Sequence, residues 1–146
     1  MHQILRDKVN FTINGFAISI KDIFNNIWMK KMITLPHAIP DMRAKQLRLN
    51  TGKKDFFGSD LYACIRFISQ GFKKPSKDEI EILLLTLKKL PKYKFERNKE
   101  KLFSYVGGKE KAEKIAKTMG LNKNIFLMET IMKLRQSRSH LKLKQK

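Results

Sequence analysis

The stretch PSKDEIEILLLTLKKLP, residues 75–91, is the part of the chain that most clearly specifies a helix. Ser76 and Glu79 have the spacing of a capping box, acidic residues crowd the first turn, lysines crowd the last turn, and Pro91 follows. These signals predict a helix over 77–90. Its apolar positions are Ile80, Leu83, Leu84 and Leu87 on the inner face, with Ile82, Leu85 and Leu90 beside them. Because they cover most of the circumference, we expect this helix to lie centrally.

Further helices are predicted where apolar residues recur at helical spacing. One covers 59–70 and ends near a glycine. Its buried stripe consists of Leu61, Cys64, Ile65 and Ile68. Two more are predicted over 109–119 and 122–137, with Gly120 between them. Residues 138–146 are predicted to form a loose, basic C-terminal tail.

The N-terminal part of the chain predicts a small β-hairpin over 8–20. The stretch KVNFTINGFAISI alternates apolar and polar residues, and Asn14-Gly15 accepts the positive φ values of a two-residue type I′ turn. Immediately after it, an amphipathic helix is predicted over 20–32. Its apolar positions are Ile20, Ile23, Phe24, Ile27, Trp28 and Met32.

These elements predict a mainly α protein of the α+β class, with about five to six helices and one N-terminal hairpin. At 146 residues, the length favours a single compact domain, which we place at 1–137. The composition, 42% hydrophobic and 31% charged, is that of an ordered globular chain and excludes wholesale disorder.

The charge balance points to a polyanionic partner. The chain has 32 Lys and Arg residues against 13 Asp and Glu, a formal net charge of +19. Such an excess repels itself unless a polyanion lies nearby, and nucleic acid is the leading candidate. The alternative is a lysine-rich surface that serves only solubility, although solubility alone needs far fewer charges.

The cysteine and hydropathy patterns bear on the compartment. Cys64 is the only cysteine, so the sequence offers neither a disulfide framework nor a thiolate metal cluster, and a reducing compartment is expected. No apolar run approaches the ~18 residues of a membrane span, and the first residues lack the apolar stretch of a signal peptide. We therefore expect a cytoplasmic protein without integral membrane association.

The segment EKIAKTMGLNKNIF, residues 113–126, resembles the helix-turn-helix motif of DNA-binding proteins. A small residue, Ala116, precedes the turn glycine Gly120, and Phe126 stands where the second helix would enter the core. The resemblance implies DNA contacts around the turn. The candidate residues there are Lys117, Asn122, Lys123 and Asn124, and the candidate phosphate contacts elsewhere are Lys92, Lys94, Arg97 and Arg135.

The segment departs from the helix-turn-helix motif in two ways, so a second interpretation, without a role in DNA binding, is also considered. Glu129 stands where the pattern expects an apolar residue, and the predicted helix 122–137 is apolar nearly all round. The alternative is an αα-hairpin in which Gly120 terminates one helix and Asn122 caps the next.

A second candidate site is the run KKLPKYKFERNK, residues 88–99, which interleaves cations with Tyr93 and Phe95. Cations beside aromatic rings can hold a single strand by phosphate contact and base stacking, without sequence specificity. The alternative is that both rings fold back onto the core while the cations are solvated.

Nothing in the sequence favours catalysis. His2, His37 and His140 lack the spacing of a metal site or a catalytic triad. Asp41 and Glu96 faintly resemble the acidic positions of a metal-dependent nuclease, but no strand is predicted at either position. We expect no enzyme activity and no cofactor.

Two hypotheses about function follow. The first is a small nucleic-acid-binding protein, with DNA favoured over RNA. It would act as a regulator, for example of transcription, or as an accessory factor of a DNA or RNA complex. A homodimer would be consistent with a regulator that binds two half-sites. The second is a non-enzymatic protein-interaction module that binds an acidic partner or completes its core by oligomerisation.

Overall fold

The computed structural model describes residues 2–25, 27–51, 56–127 and 129. The chain divides into two compact units, one formed by Met1–Phe56 with Phe72–Glu79 and the other by Phe57–Gly71 with Ile80–Lys146. The single domain over 1–137 stays a prediction. Among the described residues, no helix is long and apolar enough to span a membrane.

The predicted fold class is confirmed, because the described chain is mainly helical with one small antiparallel sheet near the N-terminus. The first unit contains α1 (His2–Lys8), β1 (Phe16–Ala17), α2 (Ile20–Phe24), α3 (Trp28–Lys31), β2 (Ile33–Thr34) and α4 (Ala38–Ala44). The second contains α5 (Asp60–Ser69), α7 (Lys92–Val106), α8 (Lys109–Thr118) and a 3-10 helix at Lys123–Phe126. Between α5 and α7 in sequence, α6 (Lys77–Leu87) changes unit after Glu79.

The hairpin predicted over 8–20 is wrong, although the sheet exists. Its strands are β1 and β2, paired antiparallel with Phe16 opposite Thr34. The segment before them cannot alternate, since the consecutive residues Phe11, Thr12 and Ile13 are all buried. Gly15 has a φ of −82°, so no type I′ turn forms there.

Gly15 is instead required by a close approach within the first unit. A Cβ atom at this position would lie 2.7 Å from Cβ of Leu35, closer than real Cβ atoms approach one another. The backbone N–H of Leu35 also donates to the carbonyl oxygen of Gly15 at 2.8 Å. The glycine therefore allows the chain leaving β2 to pack against the start of β1.

The helix predicted over 20–32 is also wrong as a continuous element. It forms the two short helices α2 and α3, and the C-cap of α2 is Asn25. A straight helix of this length would span about 20 Å. Because β1 and β2 pair directly, the chain between them must reverse, and an unbroken helix cannot bring its own ends together.

Polar side chains hold the irregular parts of the first unit. The side-chain amide of Asn50 donates to the carbonyl oxygens of Leu5, Arg6 and Val9, which satisfies the C-terminal end of α1. The buried Asp41 accepts from Thr12 Oγ1 at 2.6 Å and from Arg48 Nε at 3.0 Å. Buried polar groups that are fully bonded in this way specify one arrangement of the chain.

The second unit confirms the helix predicted over 59–70, which is α5. The predicted buried positions Leu61, Cys64 and Ile65 are buried, whereas Ile68 is only half-buried. The helix predicted over 77–90 is confirmed as α6 but ends at Leu87. Its expected central position is wrong, because Ile82 and Leu85 are exposed and only one face is buried.

The C-terminal elements agree in part with expectation. The helix predicted over 109–119 is confirmed as α8. The helix predicted over 122–137 is wrong over 122–127, where a 3-10 helix ends at Phe126 and Leu127 is extended, whereas Glu129 is helical. Ile125 and Phe126 are both buried in this segment. Residue 128 and residues 130–146, with the predicted tail 138–146, lie outside the described residues.

Candidate nucleic-acid interface

The turn after α8 is closed by backbone bonds and one side chain. Gly120 has a φ of +78°, and the N–H of Leu121 donates to the carbonyl oxygen of Ala116 at 3.0 Å. Left-handed glycine with this bond is a common helix ending. Oδ1 of Asn122 then accepts from the N–H of Asn124 at 3.0 Å and caps the 3-10 helix. Both features belong to the αα-hairpin alternative.

The residues after this turn are anchored in the core of the second unit. Phe126 stacks on Tyr62 with ring centroids 5.9 Å apart and meets Phe103 edge-on at 5.4 Å. The hydroxyl of Tyr62 donates to the carbonyl oxygen of Ile125 at 3.2 Å. The segment is therefore held in the core as far as Phe126.

Three of the predicted site residues nevertheless lie together. Lys117, Asn122 and Lys123 are exposed and line a surface pocket of about 520 Å³. The remaining lining residues are Glu110, Glu113, Lys114 and Leu121. Because two carboxylates share the pocket with three ammonium groups, its attraction for phosphate is partly cancelled.

Lys123 also lines a second surface pocket, of about 430 Å³. Its other lining residues are Lys99, Phe103, Lys109, Glu113, Phe126 and Leu127. Two of these cations are already engaged, since Lys99 pairs with Glu96 and Lys109 lies 3.8 Å from Glu113. Of the predicted site residues, Asn124 is half-buried in the turn and Arg135 lies outside the described residues.

The other predicted phosphate contacts lie on α7. Lys92, Lys94 and Arg97 are all exposed on its first turns. Beyond them, the solvent-facing side of the helix continues to its C-terminal end, and we refer to it as the outer face of α7. It consists of Tyr93, Lys94, Arg97, Glu100, Lys101, Ser104 and Tyr105.

Of the two aromatic residues in the predicted run, one is buried and the other is exposed. Phe95 is fully buried and lies 6.0 Å from the Tyr62 ring, so the alternative that it packs in the core is correct for this residue. Tyr93 is 69% exposed, and Lys94 Nζ lies 5.9 Å from its ring centroid. Only Tyr93 therefore remains available to a ligand.

Three residues of this surface were missed by reasoning from the sequence. Tyr105 is 66% exposed, Lys101 lies one turn before it, and Arg66 from α5 places its guanidinium carbon 5.2 Å from the Tyr105 ring centroid. Tyr93, Arg97, Lys101 and Tyr105 recur at intervals of four residues. That spacing, once the helix was recognised, could have identified the tyrosine and the lysine, whereas Arg66 comes from another helix.

Several titratable side chains are held by contacts within the protein. Burial raises the pKa of Tyr62 above its ordinary value, and the nearby Glu96 carboxylate raises this pKa further. A neutral hydroxyl bonded to a backbone carbonyl is structural. The two acidic residues that resemble positions of a nuclease site are also paired. Asp41 forms an ion pair with Arg48, and Glu96 forms one with Lys99. Within the described ranges, no three His, Cys, Asp or Glu residues are grouped to hold a metal ion.

Comparison of the chain with protein-family models, with curated proteins and with solved structures finds no match.

Proposed function

We propose that this protein binds nucleic acid through the basic surface of its second unit, as a regulator or accessory factor of a DNA or RNA complex. The outer face of α7 carries the proposal. Lys94, Arg97 and Lys101 are exposed along it against a single acid, Glu100. Among the described residues, no ion pair engages these three cations, so they are free to neutralise phosphates.

The turn after α8 has a supporting role in this proposal. Lys117 and Lys123 can contact phosphate from the rim of their pocket, and Asn122 can donate from its side-chain amide. Sequence reading by a recognition helix is not part of the proposal, because the segment at Lys123–Phe126 is short and its end is buried. The preference for DNA over RNA depended on that helix, so both are candidate ligands.

The proposal is tested by fluorescence anisotropy of labelled single-stranded DNA, RNA and duplex DNA over a series of salt concentrations. The informative variant carries Lys94→Ala, Arg97→Ala and Lys101→Ala. Each lost phosphate contact lowers the slope of log affinity against log salt by about 0.7 for a single strand, so we expect a loss of about 2.

The matched control carries Lys21→Ala, Lys30→Ala and Arg43→Ala, which removes the same charge from exposed positions of the first unit. Its salt slope should stay close to that of the unmodified chain. Equal losses in the two variants would mean that the net charge acts without a site. Absence of binding to all three ligands at low salt would reject the proposal.

The second candidate function, an interaction module, is favoured by one observation in the first unit. Ile20, Ile23, Phe24 and Met29 are exposed on the consecutive helices α2 and α3, with Phe24 85% exposed. A cluster of exposed apolar side chains is typical of a protein interface. The test is light scattering of the unmodified chain and of a Phe24→Ser, Met29→Ser variant. A dimer that the variant abolishes would support a homodimer. A monomeric unmodified chain would leave an acidic protein as the candidate partner.

A further inference from the structure

We propose that the outer face of α7 is a site for single-stranded nucleic acid, in which Tyr93 and Tyr105 stack on bases and the cations around them contact phosphates. This inference rests on the proposed function and specifies its ligand. It depends on three features of the second unit, which are the exposure of the two rings, their spacing along the helix, and the position of Arg66.

The exposure of the tyrosines is not needed for the packing of α7. The buried side of the helix is supplied by Phe95, Leu102 and Val106. Tyr93 projects from the opposite side and Tyr105 from the flank of the helix beside Arg66, each with about two thirds of its surface in water. An aromatic ring left exposed offers a flat apolar face that a base can cover, and every base can stack on it whatever the sequence.

The spacing places the two rings on separate nucleotides. Tyr93 and Tyr105 are twelve positions apart on one helix, which corresponds to about 18 Å along its axis. The rise per nucleotide along one strand of B-form DNA is only ~3.4 Å. Because about 18 Å is several times this rise, the two rings stack on nucleotides that are not adjacent.

The side chains between the rings are the ones that such a strand would need. Arg97 and Lys101 follow Tyr93 at intervals of four residues, so the four side chains form one ridge inclined by roughly 26° to the helix axis. Both cations are exposed and face the path that connects the rings. Backbone phosphates between two stacked bases would pass over them.

Arg66 extends this surface from a neighbouring helix. Its guanidinium carbon lies 5.2 Å from the ring of Tyr105 and 5.1 Å from the ring of Phe67. In the described part of the chain, its Nε is buried and has no hydrogen-bond partner. The buried Nε cannot reach a strand, but an arginine oriented by aromatic faces and not by a carboxylate keeps a positive charge that can attract a phosphate.

The same geometry disfavours duplex as the ligand of the tyrosines. In a duplex, each base face is covered by its neighbours, so an exposed tyrosine can stack only on an unpaired base. Phosphates, in contrast, are accessible in single strands and duplexes alike. Loss of the rings should therefore affect single strands alone, whereas loss of the cations should affect both.

The experiment compares the variant Tyr93→Ala, Tyr105→Ala with the matched control Tyr93→Phe, Tyr105→Phe. Each is titrated into a labelled oligothymidylate and into a duplex of mixed sequence at one salt concentration. We expect the alanine variant to bind the single strand at least about 10-fold more weakly, since each lost stacking contact costs about 5- to 150-fold in affinity. Its duplex affinity should change less than about twofold. The phenylalanine variant keeps both rings and should retain single-strand binding.

Arg66 is tested separately by Arg66→Lys, which keeps the charge but loses the planar guanidinium. We expect a drop in single-strand affinity that Tyr105→Phe does not produce. Thermal unfolding of every variant controls for folding, and replacement of the exposed tyrosines should shift the melting temperature by only a few degrees.

Three outcomes would overturn the inference. Unchanged single-strand binding of the alanine variant would remove the stacking role and leave the proposed function standing. Equal losses for single strand and duplex would show that the tyrosines act through the shape of the protein. Absence of binding to either ligand by the unmodified chain would reject the proposed function itself, and the stacking site with it.

Discussion

The hydroxyl of Tyr62 on α5 donates a hydrogen bond of 3.2 Å to the backbone carbonyl oxygen of Ile125, inside the second unit. This bond ties a helix in the middle of the sequence to the segment that follows the turn at Gly120. It explains why that segment serves as a core element.

The stability of the second unit should depend on the ionisation of Tyr62 at alkaline pH. Burial raises the pKa of Tyr62 in the folded chain above the value of about 10 in the unfolded chain. The unfolded chain therefore loses this proton first. The stabilisation is fully present below about pH 10 and is lost as the pH rises further, by at most ~1.4 kcal/mol per pH unit.

The measurement is urea unfolding of the unmodified chain and of Tyr62→Phe between about pH 8 and pH 11. At neutral pH the variant should be less stable by about 1 kcal/mol, because one hydrogen bond is lost. The difference should shrink above about pH 10, since phenylalanine has no proton to release. Curves that stay parallel over the whole range would contradict this account.

Replacement of Gly120 should destabilise the turn through backbone strain, and not through a steric clash of the new side chain. Gly120 has a φ of +78°, and a Cβ atom added there would meet nothing within 4 Å. Gly120→Ala should therefore lower the free energy of unfolding by about 1 kcal/mol. Gly120→Asn should cost less, because asparagine tolerates the left-handed region. Equal costs, measured by urea unfolding, would mean that something other than φ is responsible.

The carboxylate of Glu79 should contribute strongly to the start of α6. It accepts from the N–H of Leu49 at 2.7 Å, and from the N–H and the hydroxyl of Ser76 at 2.8 Å each. Glu79→Ala leaves these donors without their acceptor, so we expect a loss of about 2 kcal/mol. The control Glu81→Ala removes an exposed carboxylate from the same helix and should change stability by less than about 0.5 kcal/mol. Similar losses in both variants would exclude a specific capping role.

Single-strand binding at the pocket beside the turn should weaken when its lysines are replaced and strengthen when its carboxylate is neutralised. Lys117→Ala with Lys123→Ala should weaken single-strand binding and reduce the salt slope by about 1.4. Glu110→Gln removes a carboxylate from the same pocket and should strengthen binding, by a factor of about 2 to 5. Fluorescence anisotropy over a salt series measures both effects. If Glu110→Gln leaves the affinity unchanged, phosphate does not approach this pocket.

Several elements could be predicted because their determinants are local. Ser76 and Glu79 lie within one turn of each other, and their capping box forms as expected. The turn at Gly120 likewise depends on residues close in sequence: Gly120 ends α8 and Asn122 caps the next element, as expected. The hairpin over 8–20 failed because alternation in the sequence cannot reveal that Phe11, Thr12 and Ile13 are all buried.

The candidate site likewise combines features that the sequence could predict with features that it could not. The sequence by itself determined the excess of positive charge, the class of the fold, and the presence of cations and aromatic rings around residues 88–99. Only the tertiary structure decided that Phe95 is buried while Tyr93 is exposed, and that Arg66 lies over Tyr105. The reason is physical. Capping and turn formation involve neighbours along the chain, whereas the face of α7 that meets water is set largely by its packing against α5, which is distant in sequence.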